Sequence, residues 1–348
     1  MREKVREFLQ LEIALNHIPG AIVHVSHQGK VILEEVLGNR VVYPNQEPMK
    51  PDTVFDLASL SKVVATLPVM LKLLDDGEFR LDDRVSFFIP EFAANGKEAI
   101  LIRHLLTHTS GLPAHKPYFM NNLRTEEVLT SIYNEIPEYQ PGEKVVYSDL
   151  GFIVLYQVIE KITGQRFEEV VQREILAPLE MHDTGFNPSF QKERFAVTEY
   201  NEKLQDYKAG IVHDDNTESM GGISGHAGLF STIDDLQKFC VMIENNGMYH
   251  GKRILSEASL RLSRKNYTSF DAEYRGLGWM LRSPTYASCG DYYAEESYGH
   301  TGFTGTSIWF DPEVALHVIL LTNRVHFGRK PPILRLRPRL HNIIRSYF

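Results

Sequence analysis

The sequence predicts an α+β protein, an α/β sandwich in which helices flank an antiparallel sheet and a mostly helical domain is inserted between the two halves of that sheet. Strand-like runs lie near both ends of the chain, in residues 21–38 and 276–321. Between them, residues 80–210 alternate helical stretches with loops rich in Pro and Gly. We therefore expect residues 1–80 and 215–348 to form one α/β domain around a helical domain of residues 81–214.

The N-terminal part begins with an amphipathic helix. Apolar residues at helical spacing predict it in residues 5–15, with its end at Pro19-Gly20. Two strand-like runs then flank residues 28–30, a Gln-Gly-Lys sequence that suits a hairpin turn. The strongly apolar residues 57–74 predict a long helix that stops at an Asp-Asp-Gly sequence.

The rest of the chain is predicted to be helical first and then strand-rich. Thr232 is a predicted N-cap for a helix over residues 232–245. A last helix is expected over residues 334–347, with an interruption at Pro338. The helical stretches of the middle segment are residues 102–106, 125–134, 151–162 and 167–175. The C-terminal strands are residues 276–281, 307–310 and 316–321.

Composition opposes several classes of function. The 348-residue chain has a formal net charge of −8 and no basic run, which opposes nucleic-acid binding. Its two cysteines, Cys240 and Cys289, exclude a disulfide framework and offer no zinc-type spacing. Neither a signal peptide nor an apolar run of about 18 residues is present, so we expect a cytoplasmic protein without a membrane span. Cofactor-binding fingerprints are absent, and the sequence does not indicate an oligomeric state.

A candidate nucleophile lies at the start of the long apolar segment. Ser59 and Lys62 are three residues apart, so they share a face on a helix, and Ser59 lies in the positive field of its N-terminus. A serine hydroxyl needs a base or a cation beside it to react, and Lys62 supplies one. This spacing is weak evidence by itself, because Ser189 and Lys192 repeat it in a polar loop.

Two further motifs are candidates for the same site. Tyr147-Ser148-Asp149 lies just before a predicted helix, and a tyrosine near a lysine can act as a general base. Residues 299–305 are rich in Gly, and the Phe303 N–H there is a candidate oxyanion donor. Taken singly, the first motif also fits a surface tyrosine in a turn, as Tyr43 does, and the second fits a turn between strands. The 213–215 segment, His-Asp-Asp, is a weaker candidate for the cleft.

In their order along the chain, these motifs resemble those of class C β-lactamases and penicillin-binding-protein-like serine hydrolases. The resemblance rests on Ser59-x-x-Lys62, Tyr147-Ser148-Asp149 and His300-Thr301-Gly302. Residues 105–112 (LLTHTSGL) and 221–232 (GGISGHAGLFST) are also similar to segments of that family. The resemblance extends over residues 20–325 and implies a β-lactamase/transpeptidase-like fold with the active site between the two predicted domains.

The resemblance implies a serine hydrolase that forms an acyl-enzyme on an amide or an ester. The candidate substrates are D-amino-acid peptides, small esters and β-lactams. In this mechanism a Tyr147 phenolate, held by Lys62 and His300, takes the proton of Ser59. The implied catalytic residues are Ser59, Lys62, Tyr147 and His300, with the backbone N–H groups of Ser59 and Phe303 for the oxyanion and Asp149, Thr301 and Gly302 for the substrate.

Two departures from the family pattern weigh against efficient β-lactam hydrolysis. His300 stands where lactamases often carry Lys, as in esterase-like and peptidase-like members. Asp149 stands where Asn is usual, and an ionised carboxylate only accepts hydrogen bonds. Two alternatives stay open: a penicillin-binding or sensor-type protein that is acylated without turnover, and a structural protein that has lost the chemistry. The intact set of Ser59, Lys62 and Tyr147 argues against the second.

Overall fold

A seven-stranded antiparallel sheet combines strands from both ends of the chain. The computed structural model describes residues 1–285 and 287–348. The strands of the sheet are β1 (Gly20–His27), β2 (Lys30–Val41), β3 (Glu47–Pro48), β4 (Met280–Leu281), β5 (Tyr298–Thr301), β6 (Ser307–Asp311) and β7 (Leu316–Thr322). They lie in the order β4-β5-β6-β7-β1-β2-β3, and Ala21 of β1 is opposite Thr322 of β7. The prediction that the two ends meet in one antiparallel sheet is confirmed.

Helices cover both faces of this sheet. The longer ones used below are α1 (Arg2–Ala14), α2 (Leu67–Asp75), α3 (Asp149–Thr163), α4 (Ile233–Glu244) and α5 (Ile333–Arg345). The other α-helices are Val85–Phe88, Ile102–Leu106, Thr125–Asn134, Phe167–Val171, Asp215–Ser219 and Glu257–Ser263. Short strands occur at Phe55–Asp56, Gly185–Phe186, Tyr200–Asn201, Asp206–Tyr207, Leu229–Ser231, Met248–Tyr249 and Lys252–Arg253.

The central strand β1 is buried on both faces. Its alternate side chains point to opposite sides of the sheet, so they enter two different cores. Val23 and Val25 pack into a core that α1 and α5 cover. Ile22 belongs to a larger core, which continues without a break into α3 and the other helices of the middle segment. The division of the chain near residues 80 and 215 therefore stays a prediction.

A small three-stranded sheet places the candidate nucleophile. Phe55–Asp56 pairs with Leu229–Ser231, which pairs in turn with Gly185–Phe186. Ser59 follows the first of these strands, and the Gly-rich residues 221–228 precede the second. The two segments that resemble family motifs are therefore neighbours, although they are far apart in the sequence.

Four local predictions need correction. The helix predicted for residues 167–175 is an α-helix only over Phe167–Val171 and continues as a π turn, Gln172–Leu176. Residues 57–74 do not form one helix: a 3₁₀ turn (Ala58–Leu60) and a π turn (Lys62–Thr66) precede α2. The strand predicted for residues 276–281 is only Met280–Leu281. Pro338 does not interrupt α5, because buried residues on both sides of the proline, Leu336 and Leu340 among them, hold the helix against the core.

The described part of the chain contains no helix long and apolar enough to cross a membrane. Within the same residues, no group of His, Cys, Asp or Glu side chains is arranged to hold a metal ion. Cys240 and Cys289 are both buried and unpaired with each other.

Candidate active site

Ser59 follows a strained turn that the side chain of Asp56 holds. The Asp56 carboxylate accepts hydrogen bonds from the Ala58 N–H at 2.8 Å and the His213 N–H at 2.6 Å. Ala58 has a φ of 47°, a left-handed conformation that costs a residue with a Cβ atom roughly 1–3 kcal/mol. Sequence reasoning missed Asp56; its only signal was an acidic residue in an otherwise apolar segment.

Lys62 is fully buried and donates three hydrogen bonds. Its Nζ is 3.1 Å from Ser59 Oγ, 2.8 Å from Asp149 Oδ1 and 3.0 Å from the carbonyl oxygen of His226. An ammonium has three donors, so this head is completely satisfied. Burial acts to lower the pKa of Lys62, but Asp149 and, after it, Tyr147 together outweigh burial, and the pKa lies above its usual value. Lys62 is therefore a cation at neutral pH.

Asp149 points at Lys62 and is only partly exposed to the cavity beside it. Its second oxygen lies 3.7 Å from His115 Nδ1. Burial acts to raise the pKa of Asp149, but Lys62, His115 and His226 together hold that pKa far below its usual range. The residue expected to bind substrate is thus an ionised carboxylate that already serves as the counter-ion of the lysine.

Tyr147 lies between two cations. Its ring centroid is 4.9 Å from Lys62 Nζ and 5.2 Å from Arg275 Cζ. The ring of His108 packs against it at 4.5 Å, and His108 Nδ1 accepts the N–H of Ser148 at 3.1 Å, which fixes this part of the chain. Within residues 1–285 and 287–348 the buried Tyr147 hydroxyl has no hydrogen-bond partner. The structure therefore places the tyrosine beside Lys62 without a hydrogen bond to Ser59.

His300 is a neutral imidazole whose ring lies near the ring of Tyr147. Burial lowers the pKa of His300 well below its usual value. Its Nδ1 lies 2.9 Å from the carbonyl oxygen of Thr301, so Nδ1 carries the proton and Nε2 is an acceptor. The rings of His300 and Tyr147 are 5.9 Å apart. Among the described residues, His300 Nε2 has no hydrogen-bond partner.

Gly302 brings the end of β5 into direct contact with the turn of Ser59. A Cβ atom on Gly302 would clash with the carbonyl oxygen of Leu57 and with Thr306 Oγ1. Thr306 Oγ1 also donates to the Leu57 carbonyl at 3.1 Å, which ties the two segments together. Phe303 follows Gly302, and its N–H donates no hydrogen bond within the part of the chain that the structure describes.

Two cavities meet at Ser59. The acidic cavity, of about 400 Å³, contains His115, Asp149 and the 213–215 segment, which the sequence suggested for the cleft. The basic cavity, of about 430 Å³, contains His300, Thr301 and Gly302 together with several cationic side chains that sequence reasoning did not single out. Ser59, Tyr147, Phe303 and Arg329 line both. Every predicted site residue with a side chain thus lies at or against this pair of cavities.

The competing sequence motifs lie elsewhere on the surface. Lys192, of the second Ser-x-x-Lys match, is 62% exposed and pairs with Asp206. Tyr43 is half exposed and packs on Tyr207. Neither Lys192 nor Tyr43 lines the two cavities that meet at Ser59.

A seven-stranded antiparallel sheet has helices on both faces, and a Ser-x-x-Lys turn follows the strand Phe55–Asp56. Together these features define the β-lactamase/transpeptidase-like class of fold. The chain belongs to the Beta-lactamase family, whose model matches residues 2–341. This confirms the resemblance that the motifs suggested and the predicted fold.

Two curated relatives are named for hydrolytic activities. The chain is 32% identical over 363 aligned positions, covering 93% of this chain and 81% of the relative, to the "N-acetylmuramyl-L-alanine amidase" of Bacillus subtilis (strain 168). It is also 32% identical over 319 positions, covering 81% of this chain and 72% of the relative, to the "Putative D-alanyl-D-alanine carboxypeptidase" of Escherichia coli (strain K12).

Solved structures have the same fold. EstCE1, described as a hydrolase with promiscuous acyltransferase activity, has a TM-score of 0.76 and 25% identity, covering 97% of this chain and 98% of its own. The octameric penicillin-binding protein homologue from Pyrococcus abyssi has a TM-score of 0.77 and 23% identity, and the match covers 99% of this chain and 77% of the homologue. A hydrolase is the class that these comparisons and the family support.

Proposed function

We propose that this chain is a serine hydrolase that forms an acyl-enzyme on Ser59 with an amide or ester substrate. The observation that carries the proposal is the contact of 3.1 Å between Lys62 Nζ and Ser59 Oγ, at a turn that opens on two cavities. A buried ammonium at this distance stabilises negative charge on the serine oxygen and makes it a better nucleophile. The names of the relatives, an amidase and a carboxypeptidase, agree with acyl transfer to water.

Tyr147 is the proposed general base. Lys62 is protonated and fully hydrogen-bonded, so it has no lone pair to accept the serine proton. The Tyr147 hydroxyl is unpartnered among the described residues, and Lys62 and Arg275 flank its ring. In this proposal Tyr147 acts as a phenolate: it takes the proton of Ser59 as Oγ attacks the carbonyl carbon, and then passes that proton to the departing amine or alkoxide. The phenolate next takes a proton from a water molecule that attacks the acyl carbonyl carbon, and returns it to Ser59 Oγ as the bond between Oγ and the acyl group breaks.

The N–H groups of Ser59 and Phe303 are the proposed oxyanion donors. Among the described residues the Phe303 N–H donates no hydrogen bond, so it is available for this role, and both residues line both cavities. Tyr147 and Asp149 come from the predicted helical domain, whereas Ser59 and Phe303 come from the predicted α/β domain. We propose on this basis that the site lies between the two.

The proposed substrates are D-amino-acid peptides, related amides and small esters. A β-lactam is a poorer candidate, because Asp149 cannot donate to a substrate carbonyl and is bound to Lys62. His300, as a neutral acceptor beside Tyr147, is suited to hold the substrate or the tyrosine hydroxyl in place.

Replacement of Ser59 tests the proposal. We expect Ser59→Ala to abolish hydrolysis of p-nitrophenyl esters and D-alanyl peptides, and Ser189→Ala, in the exposed copy of the motif, to keep full activity. Intact-mass measurement after mixing with an activated ester or a penicillin should show an adduct that decays with time. An adduct that persists would instead identify the sensor-type alternative, and activity in Ser59→Ala would refute the assignment.

A further inference from the structure

The basic cavity holds more positive charge than the protein neutralises. Arg329 pairs with Glu199 and Asp215, and Arg275 pairs with Glu273. Within the described ranges, 1–285 and 287–348, three of the cations form no ion pair, and two of these donate only to backbone carbonyl groups. The cationic residues that line the cavity are Arg275, Arg324, Arg329, Lys330 and Arg337.

Two of these arginines are buried with unsatisfied donors. Arg275 is 3% exposed, and its Nε and Nη1 bond to nothing in the described part of the chain. Arg337 is 4% exposed, and its Nη2 donates to the carbonyl oxygens of Gly302 at 2.7 Å and Thr306 at 2.9 Å. The Nε of Arg337 has no hydrogen-bond partner among the described residues. Burial, and then the neighbouring charge of Arg324, lower the pKa of Arg337 to about 9. A buried guanidinium group that has no carboxylate partner among the described residues, as in Arg337, is costly unless an anion joins it.

The acidic cavity on the other side of Ser59 differs in this respect. Asp149 pairs with Lys62, Asp214 with His226 and Asp215 with Lys208. An anion placed there meets three carboxylates that already have partners. The distribution of charge across Ser59 therefore directs an anionic group of a ligand into the basic cavity.

We propose that the basic cavity binds a part of the substrate that carries two carboxylates, next to the bond that Ser59 attacks. The inference rests on the proposed function and names the class of substrate. Arginine suits this task because its planar fork binds a carboxylate through two N–H groups. Arg324 and Arg337 are buried and have no carboxylate partner among the described residues, so two carboxylates balance their charges, whereas Lys330 is exposed to water. Arg337 also holds the Gly302 carbonyl, so an anion bound there stabilises the turn that carries the Phe303 N–H.

A set of esters that differ in charge tests the proposal on the unmodified protein. The acyl groups are butyrate (neutral), glutarate (one free carboxylate) and tricarballylate (two), each as a mono-p-nitrophenyl ester, and 3-carboxy-4-nitrophenyl acetate carries a carboxylate on the leaving group. We expect kcat/KM to rise about tenfold or more for each added carboxylate on the favoured side of the bond, as charge-assisted hydrogen bonds require. Equal or lower values for all the anionic esters would overturn the proposal.

Binding without turnover separates this inference from the proposed function. Tricarballylate should raise the Tm of Ser59→Ala, whereas its uncharged triamide at equal ionic strength should not. Arg337→Gln and Arg275→Gln should each reduce this rise and the preference for anionic esters. Arg335→Gln, on the exposed side of the same helix, should keep both. If Ser59→Ala still hydrolyses esters, the proposed function fails; if tricarballylate does not bind to it, the anion site fails.

Discussion

The ammonium of Lys62 lies 2.8 Å from Asp149 and 3.1 Å from Ser59, so a buried carboxylate and the candidate nucleophile share one cation. An asparagine at position 149 would have no charge to offer. In this chain the lysine therefore stays protonated despite complete burial.

Asp149→Asn should move the alkaline limb of the kcat/KM profile to lower pH. In the wild-type protein the pKa of Lys62 lies above its usual value, so the cation persists into the alkaline range. Without the Asp149 carboxylate, the effect of burial is opposed less and the pKa of Lys62 falls. A pH–rate profile with a neutral ester measures this. Asp206→Asn, at an exposed ion pair, is the control, and coincident profiles for Asp149→Asn and the wild type would contradict the prediction.

The same substitution should lower stability most at neutral pH. The pKa of Asp149 is lower in the folded protein than in the unfolded chain, so its contribution is complete above pH 4 and is lost as the pH falls below that. We expect the free energy of unfolding of Asp149→Asn to be about 3 kcal/mol below that of the wild type at pH 7. Urea unfolding should show this gap narrowing below pH 4, and a gap that widens there would reverse the sign that we assign.

Tyr147→Phe should remove activity without loss of stability. The hydroxyl makes no hydrogen bond within the described residues, so its removal leaves no new unsatisfied partner, while the ring keeps its contacts with His108 and Lys62. We expect kcat to fall by about 10²–10⁴, the usual contribution of a general base. Steady-state kinetics with an ester substrate measure kcat, and thermal unfolding of the same preparation measures stability. A variant with near-normal kcat would exclude Tyr147 as the base.

Gly302→Ala should separate the oxyanion turn from Ser59. The new methyl group would press against the Leu57 carbonyl and Thr306 Oγ1, which costs roughly 1–3 kcal/mol if the neighbours shift. Because that shift moves the Phe303 N–H, we expect kcat to fall at least about 10²-fold. Gly185→Ala, where a Cβ meets nothing within 4 Å, is the matched control. Equal activity of the two variants would show that the close approach at Gly302 has no catalytic role.

Local patterns made the helices, the hairpin and the Ser-x-x-Lys pair predictable from the sequence. Thr232 is the N-cap of α4 as predicted, because its side chain accepts the Asp235 N–H. The relation of Ser59 to Lys62 is also local, since it depends only on a spacing of three residues. The family motifs then supplied Tyr147 and His300, which no periodicity connects to Ser59.

The parts of the site that escaped prediction depend on contacts between distant segments. Asp56 binds the N–H of His213, and Lys62 binds the carbonyl of His226, a group whose position no side-chain pattern reveals. Arg275 and Arg337 meet in the basic cavity although they come from different segments of the chain. The sequence shows the basic residues one by one, but the lack of a carboxylate partner for Arg324 and Arg337 among the described residues is visible only once the chain is folded.

The pairing of β1 with β7 has a consequence for how the protein is made. Ala21 is synthesised long before its strand partner, Thr322. One edge of β1 therefore stays without its partner strand until β7 has been made, and contacts this remote in sequence form slowly. A ribosome-bound nascent chain that ends before β7 should therefore be inert towards an activated ester, and reactivity at Ser59 should begin only when the last strand and α5 are released.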